Sequence, residues 1–424
     1  MSNDDRLSIL ITEGSSGSAK ETIYCLADQH AVDFVDPTYL CQCRFSRWVR
    51  KAIPCPHFAT QPDEYLRFLV STLRRGRYDV LFPVHEDVYL LSYVRESLER
   101  EFSVALPDFD TLRSMQSKSD FVGKLNELQI PVPRTQIVDS FDELHQFDEF
   151  PVFVKLAHST AGTGVALVKN GEELREVADR FEREGRLAFN SKILMQQPAS
   201  GIMSVVQAVF QQGQLIAAHC AETLLPGVGG AQGMRVSASH PKVVQYVKQL
   251  GRHLNWHGAM FLEYFYEPST GEPQFIECNP RIGETYNAKL SGVNLCDLMV
   301  RISLGETVEP LVQPVNEGVC SYTDFFLLIQ KALTGSPRRV IFRESFQMLA
   351  GRGAYQNAAS EITHPKRDPL SLIPATAVVM QLLLSPRIAR KIVDKTVGSY
   401  SLPQSGVETI HGFSDAFIEE CFAK

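Results

Sequence analysis

Basic charge is in short supply in this chain. Its 424 residues carry 42 Lys and Arg against 49 Asp and Glu, a net charge of −7 (42 − 49). That balance argues against a general nucleic-acid binder, which would show a basic patch or a high domain pI. A clean membrane span is missing as well: Pro369 to Pro386 has no charged residue, but Pro374 interrupts it and its length is at the lower edge for crossing a bilayer. With 27 Gly and 23 Pro the composition is not fibrous, and with 44% hydrophobic residues it is not that of a disordered chain. Cysteine is present but unpatterned: nine residues, an odd number, without the spacing of a disulfide scaffold. No charged-then-apolar leader opens the sequence, so the thiols are expected to be reduced, in a cytoplasm. Cys41, Cys43, Cys55 and His57 are the nearest approach to a zinc set, but Cys-Gln-Cys is tighter than a paired zinc knuckle.

What is present reads as two to four domains at roughly 100–200 residues each. Leu7–Thr12, Val32–Val35 and Tyr78–Pro83 are strand-like runs, and Ala19–Ala27 reads as a helix between the first two. Such alternation predicts a parallel, helix-covered sheet. The turn Gly14-Ser-Ser-Gly17 lacks the Gly-Lys-[Ser/Thr] of a phosphate loop and reads as a tight strand-to-helix turn. Near residue 110 the pattern changes. Ser117 to Asp120 has the spacing of a capping box, and Phe121, Leu125 and Leu128 repeat at helical intervals up to Ile130-Pro-Val-Pro133. Strands at Pro151–Leu156 and Val165–Val168 flank the small-residue loop Ser159-Thr-Ala-Gly-Thr-Gly164, and a helix follows with Leu174, Val177, Ala178 and Phe181 on one face. Further strands are expected at Lys192–Gln197, Val205–Phe210 and Leu215–His219.

The chemistry concentrates in Phe261-Leu-Glu263 and Phe275-Ile-Glu277-Cys-Asn279-Pro-Arg281, two apolar runs on either side of a turn. A three-residue loop at Ser269-Thr-Gly271, with Gly271 left-handed, would place Glu263 opposite Glu277. Period-two alternation puts Asn279 on the same face. Three oxygen ligands, two of them anionic, suit Mg²⁺, with Mn²⁺ as an alternative, and that ion prefers to be completed by water and substrate phosphates. Arg281 would stand where phosphoryl charge develops. Lys155 ends a strand just before the loop, whose backbone N–H groups at Ser159, Thr160, Gly162, Thr163 and Gly164 could cradle phosphates. Cys278, between two proposed ligands, is expected to pack on the opposite strand face. His253 and His257 have zinc-like spacing without the third ligand or the Glu of an HExxH pattern, and read as ordinary histidines near a helix end.

In order and spacing these strings, with Lys118 ahead of Gln129-Ile-Pro-Val-Pro133, resemble the ATP-grasp superfamily over roughly residues 5 to 305. The resemblance implies an α/β (α+β) architecture: a parallel-sheet pre-ATP-grasp domain at 1–110, a two-subdomain ATP-grasp fold at 111–312 with a lid at about 151–212, and a C-terminal extension at 313–424. It implies ATP with its phosphates on Lys118 and Lys155, Mg²⁺ on Glu263, Glu277 and Asn279, and Arg281 on the transferred phosphoryl group. Gln196 and Gln197 fall where the family usually presents a Glu to adenine. Within the superfamily, Asn279-Pro-Arg281 and the stretch Asn287 to Asn294 look like carboxylate-amine ligases that join amino acids. Arg235 is then suited to a substrate carboxylate and Glu86 to an amine.

That resemblance implies an ATP- and Mg²⁺-dependent ligase that makes an acyl-phosphate from a small carboxylic acid and passes it to an amine. The alternatives are an enzyme that phosphorylates bicarbonate or another carboxylate, and a non-catalytic ATP-binding regulator. In the extension, Val319–Leu333 reads as a strand start and a helix, and Val340–Phe342 as a strand. Residues 369–395 predict a buried helix or homodimer contact, with a basic-flanked membrane-surface anchor as the alternative.

Overall fold

The computed structural model describes residues 6–139, 143–144, 146–157, 164–184, 192–311 and 316–423. The N-terminal part is a four-stranded parallel sheet in the order β3-β2-β1-β4, built from β1 (Ser8–Ile11), β2 (Ala31–Asp36), β3 (Val49–Pro54) and β4 (Val80–Phe82). Ile9, Leu10, Ile11, Val32 and Val35 are fully buried, as expected of parallel strands covered on both faces. The helix Gly17–Leu26 is buried along its whole length, because the rest of the molecule closes over it. Ser16 caps it by accepting from the Ala19 N–H. The Gly14–Gly17 turn is engaged from within: Glu13 accepts from the Ser15 and Ser16 amides, and Asp36 accepts from the Gly14 amide at 2.9 Å. A Cβ on Gly14 would run into the Phe34 ring.

Two further sheets follow. The small one is antiparallel, in the order β5-β8-β6-β7, from β5 (Thr135–Val138), β6 (Val152–Leu156), β7 (Val165–Val168) and β8 (Ile193–Gln196). The helix Gly171–Arg183 covers it with Leu174, Ala178 and Phe181 buried. Its strands thus lie between Thr135 and Gln196, beginning before the expected lid and ending short of residue 212. The large sheet has seven strands in the order β13-β12-β9-β10-β11-β14-β15. They are β9 (Ile202–Gln211), β10 (Gln214–Pro226), β11 (Gln232–Ala238), β12 (Gly258–Glu267), β13 (Glu272–Asn279), β14 (Cys320–Tyr322) and β15 (Ala358–Ser360).

The last hundred residues do not form a separate appendage. β14 and β15 extend the large sheet, and helices at Asp324–Leu333, Arg338–Ala350, Leu372–Leu384 and Ile388–Tyr400 follow the chain around its edge. Ile410 and Cys421, in the final two helices, are buried in the N-terminal domain's core with Leu66, Leu69 and Val70. The strand expected at Val340–Phe342 is instead the first turn and a half of the helix Arg338–Ala350, in which Ile341, Glu344 and Met348 face inward at helical spacing. A short β-branched run decided that reading, whereas the buried positions recur over a longer window than three residues can reveal.

Candidate functional site

The hairpin of β12 and β13 sets the geometry. Glu263 pairs with Glu277 and Phe261 with Asn279, so the two carboxylates face each other as the sequence implied. The turn differs, however: Glu267 pairs with Glu272, so the loop holds four residues, 268–271, rather than three. A bulge at Ile276 absorbs the difference, since Tyr264 pairs with Phe275 while Glu263 pairs with Glu277. This extra residue has a purpose. Phe275 and Glu277 would otherwise share a face, and the bulge lets Phe275 be buried beside Tyr264 in the core while Glu277 turns to the cleft. Gly271 takes the left-handed conformation, at φ 69°. Cys278 is buried in the core cluster behind the sheet, away from the carboxylates.

Two lysines meet this pair. Lys118 opens the helix Lys118–Glu127 under the Ser117 cap, and its Nζ lies 3.1 Å from Glu277 Oε1. Its own amide donates to the Ala157 carbonyl at 2.9 Å, which ties the helix start to the end of β6. Lys155, on β6, donates from Nζ to Gln196 Oε1 at 2.6 Å, and Gln196 donates onward to Thr135 Oγ1 at 3.0 Å. Burial pushes the Lys155 ammonium down to about 8, against the opposing pull of Glu277. Burial likewise pushes Glu263 up to about 8, with Glu277 and Glu284 adding to the rise. Two carboxylates and an amide oxygen, as Glu263, Glu277 and Asn279 supply, are the donor chemistry that suits a hard divalent cation. Arg281 leaves β13 at the same end: its guanidinium donates to the Ile282 carbonyl at 3.0 Å and to Asn279 Oδ1 at 3.4 Å. His85 is buried close enough to Arg281 that burial and that positive charge together depress its basicity.

Other expected residues are placed differently. Gln196 is turned to Lys155, and Gln197 donates its amide to the Glu149 carbonyl at 3.3 Å while its backbone N–H donates to the Arg134 carbonyl at 2.9 Å. Ser159, Thr160, Gly162 and Thr163 lie outside the described residues; Gly164 accepts at its carbonyl from the Leu156 amide at 2.9 Å. Arg235, on β11, is buried and paired with Glu361 at 3.1 Å, and it approaches Glu284 at 3.9 Å. Glu361 is further held by the Ser321 and Thr323 hydroxyls, each donating at 2.6 Å. Glu86 accepts from the Leu402 amide at 2.7 Å, which ties it to the C-terminal segment. The stretch Asn287–Asn294 fastens domains together: Lys289 Nζ donates to the Tyr24 carbonyl at 2.8 Å and Asn294 to the Cys25 carbonyl at 2.9 Å.

Sequence reading did not reach the carboxylates around Arg235. Glu21 accepts from the Tyr286 amide at 2.8 Å through one oxygen, while its other oxygen is buried without a hydrogen-bond partner. Burial, then Glu361 and Glu284, raise its carboxyl well above the ordinary range against the pull of Arg235. Glu21, Glu284 and Glu361 come from three distant stretches of chain, and only Glu284, three residues beyond Arg281, carried a local signal.

Comparison with known proteins bears on the fold. Residues 117–216 match the family model described as the carbamoyl-phosphate synthase L chain, ATP binding domain. A curated relative, the mitochondrial arginine-specific carbamoyl phosphate synthase large chain of Schizosaccharomyces pombe, is 24% identical over 225 residues. That match takes in 49% of this chain and 19% of the relative, so the chain spans about a fifth of the relative's length. Among solved structures, the biotin carboxylase domain of Hydrogenobacter thermophilus 2-oxoglutarate carboxylase, in complex with MgADP, ADP and bicarbonate, aligns with a TM-score of 0.59 and 15% identity. It covers 74% of this chain and 73% of its own. The L-amino acid ligase of Bacillus licheniformis aligns with a TM-score of 0.56 and 16% identity, over 74% of this chain and 79% of its own. At such identities the likeness establishes the fold. By fold the chain is similar to these proteins, and its residues 117–216 match an ATP-binding domain.

Proposed function

We propose that the protein is an ATP- and Mg²⁺-dependent ligase that joins a small carboxylic acid to an amine, an amino acid by preference. The observation that carries this reading is the pairing of Glu263 with Glu277 across a hairpin whose cleft also holds Lys118 and Lys155 and ends at Arg281. A carboxylate resists amines because it would have to expel oxide. Transfer of the ATP γ-phosphoryl group to a carboxylate oxygen releases ADP and leaves an acyl-phosphate. The amine nitrogen then attacks the acyl carbon, phosphate departs with the C–O bonding pair, and the nitrogen loses a proton.

Such transfer calls for positioning and charge neutralisation more than for a protein nucleophile. Glu263, Glu277 and Asn279 would hold Mg²⁺, which supplies charge neutralisation on the phosphates when bound. Lys118 and Lys155 neutralise phosphate oxygens, and Arg281 faces the transferred group. Glu284, which helps raise the Glu263 carboxyl and lies 3.9 Å from Arg235, links the carboxylate pair to the buried cluster of Glu21, Glu361 and Arg235. Even with the Glu21 carboxyl protonated, Glu284 and Glu361 outnumber the Arg235 guanidinium, a balance that favours an incoming ammonium on that side. The Arg235–Glu361 pair makes Arg235 a ligand for a substrate carboxylate only if that acid shares its guanidinium with Glu361.

The matched ATP-binding segment and the bicarbonate-bound structural neighbour favour a second reading, phosphorylation of bicarbonate. One assay separates the two: phosphate release from ATP with pooled amino and organic acids, with hydroxylamine as acceptor, followed by mass spectrometry. Ligase chemistry yields hydroxamates of particular acids without added bicarbonate. Release that depends on bicarbonate and gives no hydroxamate from any organic acid would favour the second reading.

A further inference from the structure

The helices Arg338–Ala350 and Leu372–Leu384 lie at the outer edge of the molecule, and each shows solvent an apolar stripe. On the first, Phe342, Phe346 and Leu349 follow one another at i, i+4 and i+7 and are 61, 53 and 67% exposed. On the second, Ile373, Met380 and Leu384 recur at i, i+7 and i+11 and are 47, 53 and 72% exposed. The helices are joined end to end where Arg338 donates to the Leu384 carbonyl at 2.6 Å. Neither stripe is needed by the core, because Ile341, Met348 and Leu382 already fill the inward side.

The segment that carries these stripes has a charge opposite in sign to that of the whole protein. Residues 336–398 contain 10 Lys and Arg against 4 Asp and Glu, a balance of +6, so the rest of the chain carries −13. All of those basic residues are exposed, among them Arg339, Arg343, Lys366, Arg387, Lys391 and Lys395. Of the four acids, Glu344, Glu361 and Asp368 are buried, which leaves Asp394 as the exposed anion of this segment.

We infer that this face docks on an anionic lipid surface. Apolar and aromatic side chains fringed by cations on a pair of short helices are what an interfacial anchor requires: apolar groups enter the headgroup boundary while the fringe meets lipid phosphates. Thirteen residues of helix reach about 20 Å, short of the ~30 Å hydrocarbon core, so the helix Leu372–Leu384 lies along a bilayer rather than through it. Among the described residues no helix is long and apolar enough to cross a membrane. A second copy of the chain fits the face less well, because a two-fold interface would press the same basic fringe against itself.

Flotation with phosphatidylcholine vesicles, with and without phosphatidylserine, tests the inference on the full chain. The wild type is expected to float with the phosphatidylserine vesicles and not with phosphatidylcholine alone, and to lose at least about tenfold of that association on going from low to high salt. Phe342→Ser with Phe346→Ser, and separately Arg343→Glu with Lys391→Glu, should each weaken it by about tenfold or more at unchanged Tm. Three results would overturn the proposal: a wild type that stays behind with both kinds of vesicle, variants that float as well as the wild type, or a light-scattering mass of two chains that both double variants reduce to one.

Discussion

Lys155 shows most clearly how the site distorts its own residues. Burial drives its ammonium down to about 8, and in the protein described here its hydrogen-bond partner is the neutral amide of Gln196 rather than a carboxylate. A cation so placed is better satisfied by a phosphate oxygen than by an amide, since hydrogen bonds between charged partners are roughly twice as strong as neutral ones. Lys155→Met should therefore weaken binding of a non-hydrolysable ATP analogue by about tenfold or more, some 1.4 kcal/mol, in a calorimetric titration. Unchanged affinity would remove Lys155 from the nucleotide site. These residues could be read from the sequence because charged side chains in apolar strands have few structural uses. Glu21 and Glu361 could not, because their meaning arises only when helix Gly17–Leu26 and the segment after β15 close on Arg235.

Elements were legible in proportion to how far their pattern is local. The hairpin facing of Glu263 and Glu277 was reached with a turn one residue too short, and the Ile276 bulge compensated. Nothing in the string Gln274-Phe-Ile-Glu277 announces a bulge; it is fixed by the demand that Phe275 enter the core. The edge strands β3 and β15 escaped notice for a similar reason, being mostly half-buried or exposed, with no alternation to display. The Gly14 turn was read as structural, and its amides are indeed engaged by Glu13 and Asp36. Gly14→Ala should then cost about 1–3 kcal/mol, as the new methyl displaces the Phe34 ring, and lower Tm without changing nucleotide affinity. A selective loss of nucleotide binding would instead make that turn a phosphate loop.

At the scale of the molecule, the chain closes on itself through a few buried polar contacts. Lys20, on the first helix, pairs at 3.3 Å with Asp368, which also accepts from the Ser46 hydroxyl at 2.6 Å, the Arg47 amide at 2.9 Å and the Tyr24 hydroxyl at 2.9 Å. Burial alone would raise the Asp368 carboxyl, but these donors and Lys20 hold it below its ordinary value. Asp368→Ala leaves a buried ammonium unpaired and should destabilise the protein by about 3–5 kcal/mol, read as a fall in the denaturation midpoint. A midpoint within error of the wild type would show that the extension and the N-terminal domain are not coupled there.

In the proposed function, Glu263, Glu277 and Asn279 form the metal face of an ATP site that activates carboxylates. Its most direct test is ADP release by Glu277→Gln, with the same acids and hydroxylamine, alongside its thermal unfolding. Loss of one anionic ligand should reduce turnover by about 100-fold or more while Tm stays near that of the wild type. Wild-type turnover by a folded Glu277→Gln variant would contradict the assignment.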